Sequence, residues 1–549
     1  MYGTGLLFLS SAVKKHFLVP ILQRATQMVH EKLILCIPNN TLSLIQWKGA
    51  ISSFYNAASE ICPSLDVYFL LPRSDKRSRA IEIDVILSCE RLTEQAVDQA
   101  RLLNPSLPHG VDHIMLSDSV NSIEDNFDTS DTSSSNTYDC VCVGGTFDRL
   151  HNGHKILLSI GGLLTRKELL VGITSDEGLE SKQLAPLILS FESRCANVRS
   201  FLSCVGFPAS HLVVAKLTDP FGPPGNCSKF QCIITSAEAL PNCGKLNELR
   251  TSKGFNPLEI EQIEFVPAFQ PPSANVPPEM PESKLSSSTI RFDLLGTLLR
   301  SVNTTARDNR KARNPYVIGL VGPSGAGKSA LAKRLANMSS QVQVLDCDRL
   351  GHEAYRPGTD CYKALIQHFG FDAIASPDPP HYIDRSRLGT IVFSDARRLA
   401  ELNSIVWPEI LRQIEDFLLK IDHPRLSDRN HFSRPIVILD AAVLLQAGWD
   451  KLCEEVWVAI IPKQEALRRI CERNGLSLST ANERLSRQAS AVASSTGGLD
   501  WWSVGQLDTG LGPLGRAHVV LSTQWDPECS QQQVQKAFTG LKKRMTLES

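Results

Sequence analysis

Two short segments concentrate side chains that could act on phosphate. The first is Gly144-Gly145-Thr146-Phe147-Asp148-Arg149-Leu150-His151-Asn152-Gly153-His154. Paired glycines let a backbone amide approach a phosphate closely. A helix starting near Gly153 would turn its unpaired N–H groups and positive dipole end to the same place. His151 and His154, three apart, share one face of that helix start and could donate to triphosphate oxygens. A metal pair is the competing reading of H-x-x-H, but no third Cys, His or carboxylate stands nearby at ligand spacing. The second segment is Gly322-Pro323-Ser324-Gly325-Ala326-Gly327-Lys328-Ser329, between a β-type run at Tyr316–Val321 and a helical pattern at Ala330–Leu335. This is G-x-x-x-x-G-K-S in its strand–loop–helix setting. Amides from Gly322, Ser324, Gly325, Ala326 and Gly327 cradle phosphates, Lys328 reaches the β/γ oxygens, and Ser329 is a ligand for Mg²⁺. The next strand, Val342–Leu345, ends in Asp346-Cys347-Asp348, two carboxylates of which one can take a hydroxyl proton and one can assist Mg²⁺.

The elements that must position these groups follow from periodicity. Short β-rich runs at Tyr138–Val143, Leu169–Thr174, Leu212–Leu217, Gln231–Thr235 and Ile263–Val266 alternate with helical patterns. Ile156, Leu157, Ile160, Leu163 and Leu164 form one helical stripe. The pattern predicts an α/β fold class: two doubly wound parallel-sheet domains whose ligands lie beyond the carboxyl ends of the strands. A small N-terminal α/β region is expected from strand-like Leu33–Ile37, Val67–Leu71 and Ile81–Leu87 with a helical Ile51–Ile61 between them. Composition breaks divide the chain into residues 1–116, a Ser/Thr/Asp-rich linker 117–137, a domain 138–296, a basic linker 297–314 and a domain 315–549. A proline-rich loop is expected at Phe269–Glu282, and a surface loop at Ser494–Leu514.

Composition narrows the classes. The chain has 549 residues, 57 Lys+Arg against 58 Asp+Glu, and a net charge of −1, which excludes a globally basic nucleic-acid binder. No apolar run approaches the ~18 residues of a membrane span. Its 15 cysteines form no C-x-x-C pair, as expected for a reducing compartment. Residues 1–30 carry Lys14, Lys15 and Arg24 and no acid before Glu31. That allows a mitochondrial or peripheral membrane address, although helix and strand packing explains the same residues.

The first motif resembles the signature of the HxGH nucleotidyltransferase superfamily, in particular the archaeal and eukaryotic phosphopantetheine adenylyltransferases. Lys284-Leu285-Ser286-Ser287-Ser288-Thr289-Ile290-Arg291 resembles a second signature of that superfamily, in the right order. The resemblance implies in-line attack of a substrate phosphate on the α-phosphorus of ATP. His154 would contact that phosphate, Thr146 would orient the nucleophile, and Lys182 would support both. Gly145 and Gly153 would line the ATP site. His151, Ser287, Ser288 and Arg291 would hold the pyrophosphate, Thr289 would belong to the same ATP site, and Arg250 would stand near the nucleotide. The third block resembles dephospho-coenzyme A kinase, through Gly351-His352-Glu353-Ala354-Tyr355-Arg356-Pro357-Gly358, Ile383-Asp384-Arg385 and Asp440-Ala441-Ala442. That implies Asp348 as base for a ribose 3′-hydroxyl, Asp346 with Ser329 at Mg²⁺, and Arg473 and Arg484 as a lid. Where that family has His-Pro and Glu, this chain has Trp407-Pro408 and Gln446. The order of the two domains resembles animal-type bifunctional coenzyme A synthases. The implied substrates are ATP, 4′-phosphopantetheine and dephospho-coenzyme A, and the implied setting is cytoplasmic with mitochondrial association. A nicotinamide-nucleotide adenylyltransferase fused to a ribosylnicotinamide kinase shares both signatures. A nucleotide-binding scaffold with an inactive site is the third reading.

Overall fold

The computed structural model describes residues 1–9, 15–37, 42–72, 82–89, 98, 111–116, 136–264, 266, 285–302, 315–393, 395–421 and 434–547. Most of both linkers and the proline-rich segment lie outside these residues. The described chain divides into a first unit, 1–183 with 188–290, and a second, 184–187 with 291–549.

The first unit holds two five-stranded parallel sheets. One is ordered β3-β2-β1-β4-β5, from β1 (Tyr2–Phe8), β2 (Val29–Cys36), β3 (Asp66–Phe69), β4 (Val85–Ser88) and β5 (Asp112–Met115). Helices α1 (Lys15–Thr26) and α2 (Leu44–Ile61) link its first three strands. The side-chain alternation of a strand explains why the end of β1 is apolar on both faces: Leu7 and Leu9 face one buried cluster while Leu6 and Phe8 face another. The basic, acid-poor N-terminus therefore supplies the central strand of a sheet. The other sheet is ordered β10-β9-β6-β7-β8, from β6 (Tyr138–Gly145), β7 (Thr165–Thr174), β8 (Leu212–Leu217), β9 (Cys232–Ser236) and β10 (Glu259–Ile263). Its helices include α3 (Asn152–Leu164), α4 (Phe191–Cys204), α5 (Leu240–Ser252) and the short α6 (Ser287–Asp293). The last strand lies earlier than the expected Ile263–Val266. One continuous apolar cluster runs from Leu7 to Val266, so the N-terminal sheet shares a core with its neighbour.

The second unit has a parallel sheet ordered β12-β13-β11-β14-β15, from β11 (Tyr316–Val321), β12 (Val342–Asp346), β13 (Ile436–Asp440), β14 (Glu455–Ile460) and β15 (Val519–Ser522). Around it lie α7 (Lys328–Ala336), α8 (Cys347–Ala354), α9 (Lys463–Asn474) and α10 (Leu478–Thr496). The segment Ser494–Leu514 corrects the surface-loop expectation. Trp501 is 1% exposed, Gln506 and Leu514 are wholly buried, and Gln506 bonds Asp500 O, Ser503 O and Leu514 N at 2.8, 2.8 and 2.9 Å. Two adjacent indoles carry too much apolar surface to leave in water, and the glycines bend the chain around them. Among the described residues, no helix is long and apolar enough to cross a membrane.

Candidate active sites

At the carboxyl end of β6 the chain leaves Gly145 through a tight loop in which Phe147 and Arg149 take positive φ, 52° and 48°. Such backbone is costly for side chains larger than glycine and persists only where the surroundings over-determine it. Phe147 and Asp148 are fully buried. Arg194 on α4, 0% exposed, supplies the restraint: it donates to Thr146 O and Thr174 O at 2.8 Å each, to Leu189 O at 3.0 Å, and to Asp176. Asp148 accepts from the Leu189 amide at 3.1 Å, and the Ser287 hydroxyl donates to Asp148 O at 2.6 Å. The two superfamily-like signatures are thus tied together by a hydrogen bond spanning 139 residues of sequence.

The histidines open α3. Their rings stack at 3.9 Å between centroids, and His154 Nδ1 is sealed from solvent with no hydrogen-bond partner among the described residues. An orphaned buried nitrogen is costly unless a ligand completes it. Burial, with the Lys182 ammonium adding repulsion, pushes the His154 pKa down to about 4. Lys182 itself is exposed. A Cβ on Gly153 would stand 3.1 Å from the His151 ring, and one on Gly145 would stand 3.1 Å from the Phe147 ring. At both positions a larger residue would press on the motif's own rings and shift them by a few tenths of an ångström. Ser286 and Thr289 cap the start of α6 reciprocally, with Thr289 Oγ1 donating to Ser286 O at 2.7 Å and the Thr289 amide donating to Ser286 Oγ at 3.2 Å. Thr289 serves the helix, while Ser287 and Ser288 stand partly exposed beside it and Arg291 is 2% exposed on the same helix.

Arg250 is a correction. Its guanidinium is fully buried and donates to the carbonyls of Asn256, Pro224, Cys227 and Phe230. A planar fork with four of its five N–H groups engaged holds the 224–230 loop and has little left for a nucleotide.

In the second unit the loop after β11 has the backbone its glycines permit, with φ of 83° at Gly325 and 75° at Gly327. A Cβ on Gly322 would meet Ala459 O at 2.5 Å. Thr523 Oγ1 donates to Ala326 O at 2.9 Å, and Arg469 bonds Thr523 twice, at 3.0 and 2.6 Å, bracing the loop from outside. Lys328 Nζ donates to Gly322 O at 2.9 Å; burial pushes its pKa down, against the pull of Asp440 and Asp348. The Ser324 amide donates to Gln488 Oε1 on α10 at 2.9 Å. Arg473 and Arg484, on α9 and α10, are exposed.

The carboxylates sort differently from expectation. Asp346 caps α8 by accepting from the Arg349 amide at 2.9 Å, whereas Asp440, at the end of the neighbouring strand β13, accepts from Ser329 Oγ at 2.9 Å. Asp440 therefore displaces Asp346 as the carboxylate paired with the serine. The signal was the register: parallel β12 and β13 set Asp346 beside Asp440. A serine hydroxyl and a carboxylate offer hard oxygens, and a small divalent cation such as Mg²⁺ takes one or two of these plus phosphates and water. Burial pushes Asp348 and Asp440 above the ordinary carboxylate range, while Lys328 opposes it in both. A carboxylate raised in this way is a better proton acceptor than a free one.

Comparison with known proteins matches this two-site arrangement. A cytidylyltransferase-like family model matches residues 142–292, and a dephospho-CoA kinase model matches residues 316–496. A dephospho-CoA kinase from Geobacter sulfurreducens is 34% identical over 172 residues, 31% of this chain and 81% of that protein. One from Carboxydothermus hydrogenoformans is 31% identical over 172 residues, covering 31% and 77%. A phosphopantetheine adenylyltransferase from Saccharomyces cerevisiae is 33% identical over 156 residues, 28% of this chain and 49% of that relative, so the match spans about half the yeast protein.

Proposed function

The chain belongs, through residues 316–496, to the dephospho-CoA kinase family, and from that premise we propose that it carries out the last two steps of coenzyme A synthesis. In the first, the phosphate of 4′-phosphopantetheine attacks the α-phosphorus of ATP and pyrophosphate leaves. Thr146 orients the nucleophile. His154 and Lys182 neutralise charge on the reacting phosphate, and His151, Ser287, Ser288 and Arg291 hold the leaving group. In the second, Asp348 accepts the proton of the ribose 3′-hydroxyl of dephospho-coenzyme A as it attacks the γ-phosphorus of a second ATP. Lys328 holds the phosphates, and Arg473 and Arg484 close over them to exclude water. Ser329 and Asp440 would hold Mg²⁺, which when bound offsets phosphate charge.

The observation that carries this reading is the coexistence of two complete phosphate devices: His154 with an unsatisfied nitrogen at a glycine-led helix start, and Lys328 over a P-loop whose serine is paired with Asp440. The test is pyrophosphate release from ATP with 4′-phosphopantetheine, lost in His154→Ala, together with ADP release with dephospho-coenzyme A, lost in Asp348→Asn. Turnover of nicotinamide mononucleotide in place of 4′-phosphopantetheine would favour the rival fusion; Gly351-His352-Glu353 and Ile383-Asp384-Arg385 speak for the coenzyme A substrates. A cytoplasmic setting is part of the proposal. Mitochondrial or membrane attachment through residues 1–30 draws no support from their packing, since Leu6, Leu7, Leu18, Ile21 and Leu22 are buried core.

A further inference from the structure

The N-terminal sheet has no place in the chemistry above, yet its contacts fall on the helix that carries it. Its strand order β3-β2-β1-β4-β5 is that of its neighbour, β8-β7-β6-β9-β10, taken in chain order, and every pairing in both is parallel. The same topology is built twice in succession. The phosphate loop is present once: where the second sheet has GGTFDRLHNGH, the first continues from β1 into α1 as Leu9-Ser10-Ser11-Ala12-Val13-Lys14-Lys15-His16, without a glycine. The glycine-led motif of the second copy has no counterpart in the sequence of that segment.

What it has is a grip on α3. Within His151-Asn152-Gly153-His154-Lys155 the residues alternate between two tasks. His151 and His154 are one i, i+3 pair; Asn152 and Lys155 are the next, displaced by about 100° around the helix. Asn152 Nδ2 donates to Tyr55 O at 3.2 Å and to Ser59 Oγ at 2.8 Å, both on α2. Lys155, 6% exposed, donates to Asp66 Oδ1 at 2.6 Å and Val67 O at 3.0 Å on β3, with its ammonium 5.0 Å from the centre of the Tyr68 ring. Tyr68 in turn stacks on Phe201 of α4 at 6.0 Å, and Leu71 N donates to Val205 O at 2.9 Å. Lys48 on α2 pairs with Glu261 on β10 at 2.7 Å, both largely buried. A helix start is the part of a helix with the fewest bonds of its own. Here it is held from outside on both sides of His154 in sequence.

We propose that the N-terminal sheet is a positioning subunit, fused in the same chain, that fixes the first turn of α3 through Tyr55, Ser59 and Asp66 and so aims His154 at the reacting phosphate. This rests on the adenylyl-transfer reading. Catalytic groups held within a few tenths of an ångström lose rate steeply when their support is loosened, while substrate affinity, set by many contacts, changes less.

The test uses the full chain, whose kinase reaction serves as an internal control. Unaltered protein is assayed first for ATP-dependent pyrophosphate release with 4′-phosphopantetheine; its absence would sink the functional reading and leave no reaction for the sheet to position. Ser59→Ala and Asp66→Asn are then measured singly and together. Expected for the pair is a fall in adenylyl-transfer kcat of about tenfold, with both KM values within about twofold, kinase kcat unchanged, and most of the loss restored by Asp66→Glu in place of Asp66→Asn. An adenylyl-transfer kcat within twofold of the parent overturns the proposal. So does a parallel fall of both activities with a lower thermal midpoint, which would make the contacts merely structural. Ser59→Ala alone removes one hydroxyl and keeps the test open should Asp66→Asn fold poorly.

Discussion

Replacing Arg194 by Met should separate the two activities of the chain. The side chain is 0% exposed and its guanidinium serves the carbonyls of Leu189, Thr146 and Thr174 as well as Asp176. Met keeps the apolar stem and removes every donor. Hydrogen bonds to a charged group contribute about 1.5–3 kcal/mol each, so the three lost to carbonyls amount to about 4.5–9 kcal/mol before relaxation and water entry. A domain's whole stability is about 5–15 kcal/mol. Because Thr146 and the positive-φ residues Phe147 and Arg149 depend on this restraint, the loop should relax before the unit melts. Adenylyl transfer should fall by about a hundredfold or more. The kinase reaction should hold within about twofold, since the substitution lies outside that unit. Arg194→Lys, with a single ammonium for four acceptors, should fall between. Calorimetry and the two rate assays on one preparation suffice. Adenylyl transfer within threefold of the parent and an unshifted melting profile would refute the account of Arg194 as the loop's support.

Other outcomes follow from the same geometry. Gly153→Ala sets a methyl 3.1 Å from the His151 ring and should lower adenylyl-transfer kcat while sparing the kinase, as paired initial rates would register. Asp440→Asn should reduce kinase kcat by about a hundredfold and raise the Mg²⁺ concentration for half-maximal rate, with pyrophosphate release unaffected. His154 has a folded pKa of about 4 against an ordinary 6.5. Between these values the unfolded chain binds more protons, so its contribution makes stability fall as pH drops from 6.5 to about 4 and leaves it level above. Lys182→Met should move the His154 titration upward in an NMR series, because one source of repulsion is gone; a downward movement would contradict the assignment.

The parts legible in the sequence were those written locally. Strand, glycine loop and helix are contiguous at Gly144–His154 and at Gly322–Ser329, so their physics is complete within a dozen residues. Pairs formed across the fold were not legible. Arg194 serves Thr146, Asp440 serves Ser329 and Asp66 serves Lys155 over separations of 48, 111 and 89 residues, and no periodicity encodes such distances. Arg250 was placed by family resemblance alone, and its carbonyl partners, which redirect it to the 224–230 loop, are likewise set across the fold. The N-terminal strand β1 stayed one of two readings because its apolar end, Leu6–Leu9, looks alike in a buried strand and in an address segment.

The contact between the Ser324 amide and Gln488 has a thermodynamic consequence for the second site. One donor of the phosphate cradle, the Ser324 amide, is bonded to a side chain of α10, the helix that also bears Arg484. A neutral bond of this kind contributes about 0.5–1.5 kcal/mol, so the backbone of the loop and the position of α10 are coupled by about that amount. The coupling is reciprocal: whatever reshapes the loop acts on α10 and its arginine, and whatever moves α10 acts on the loop by the same free energy.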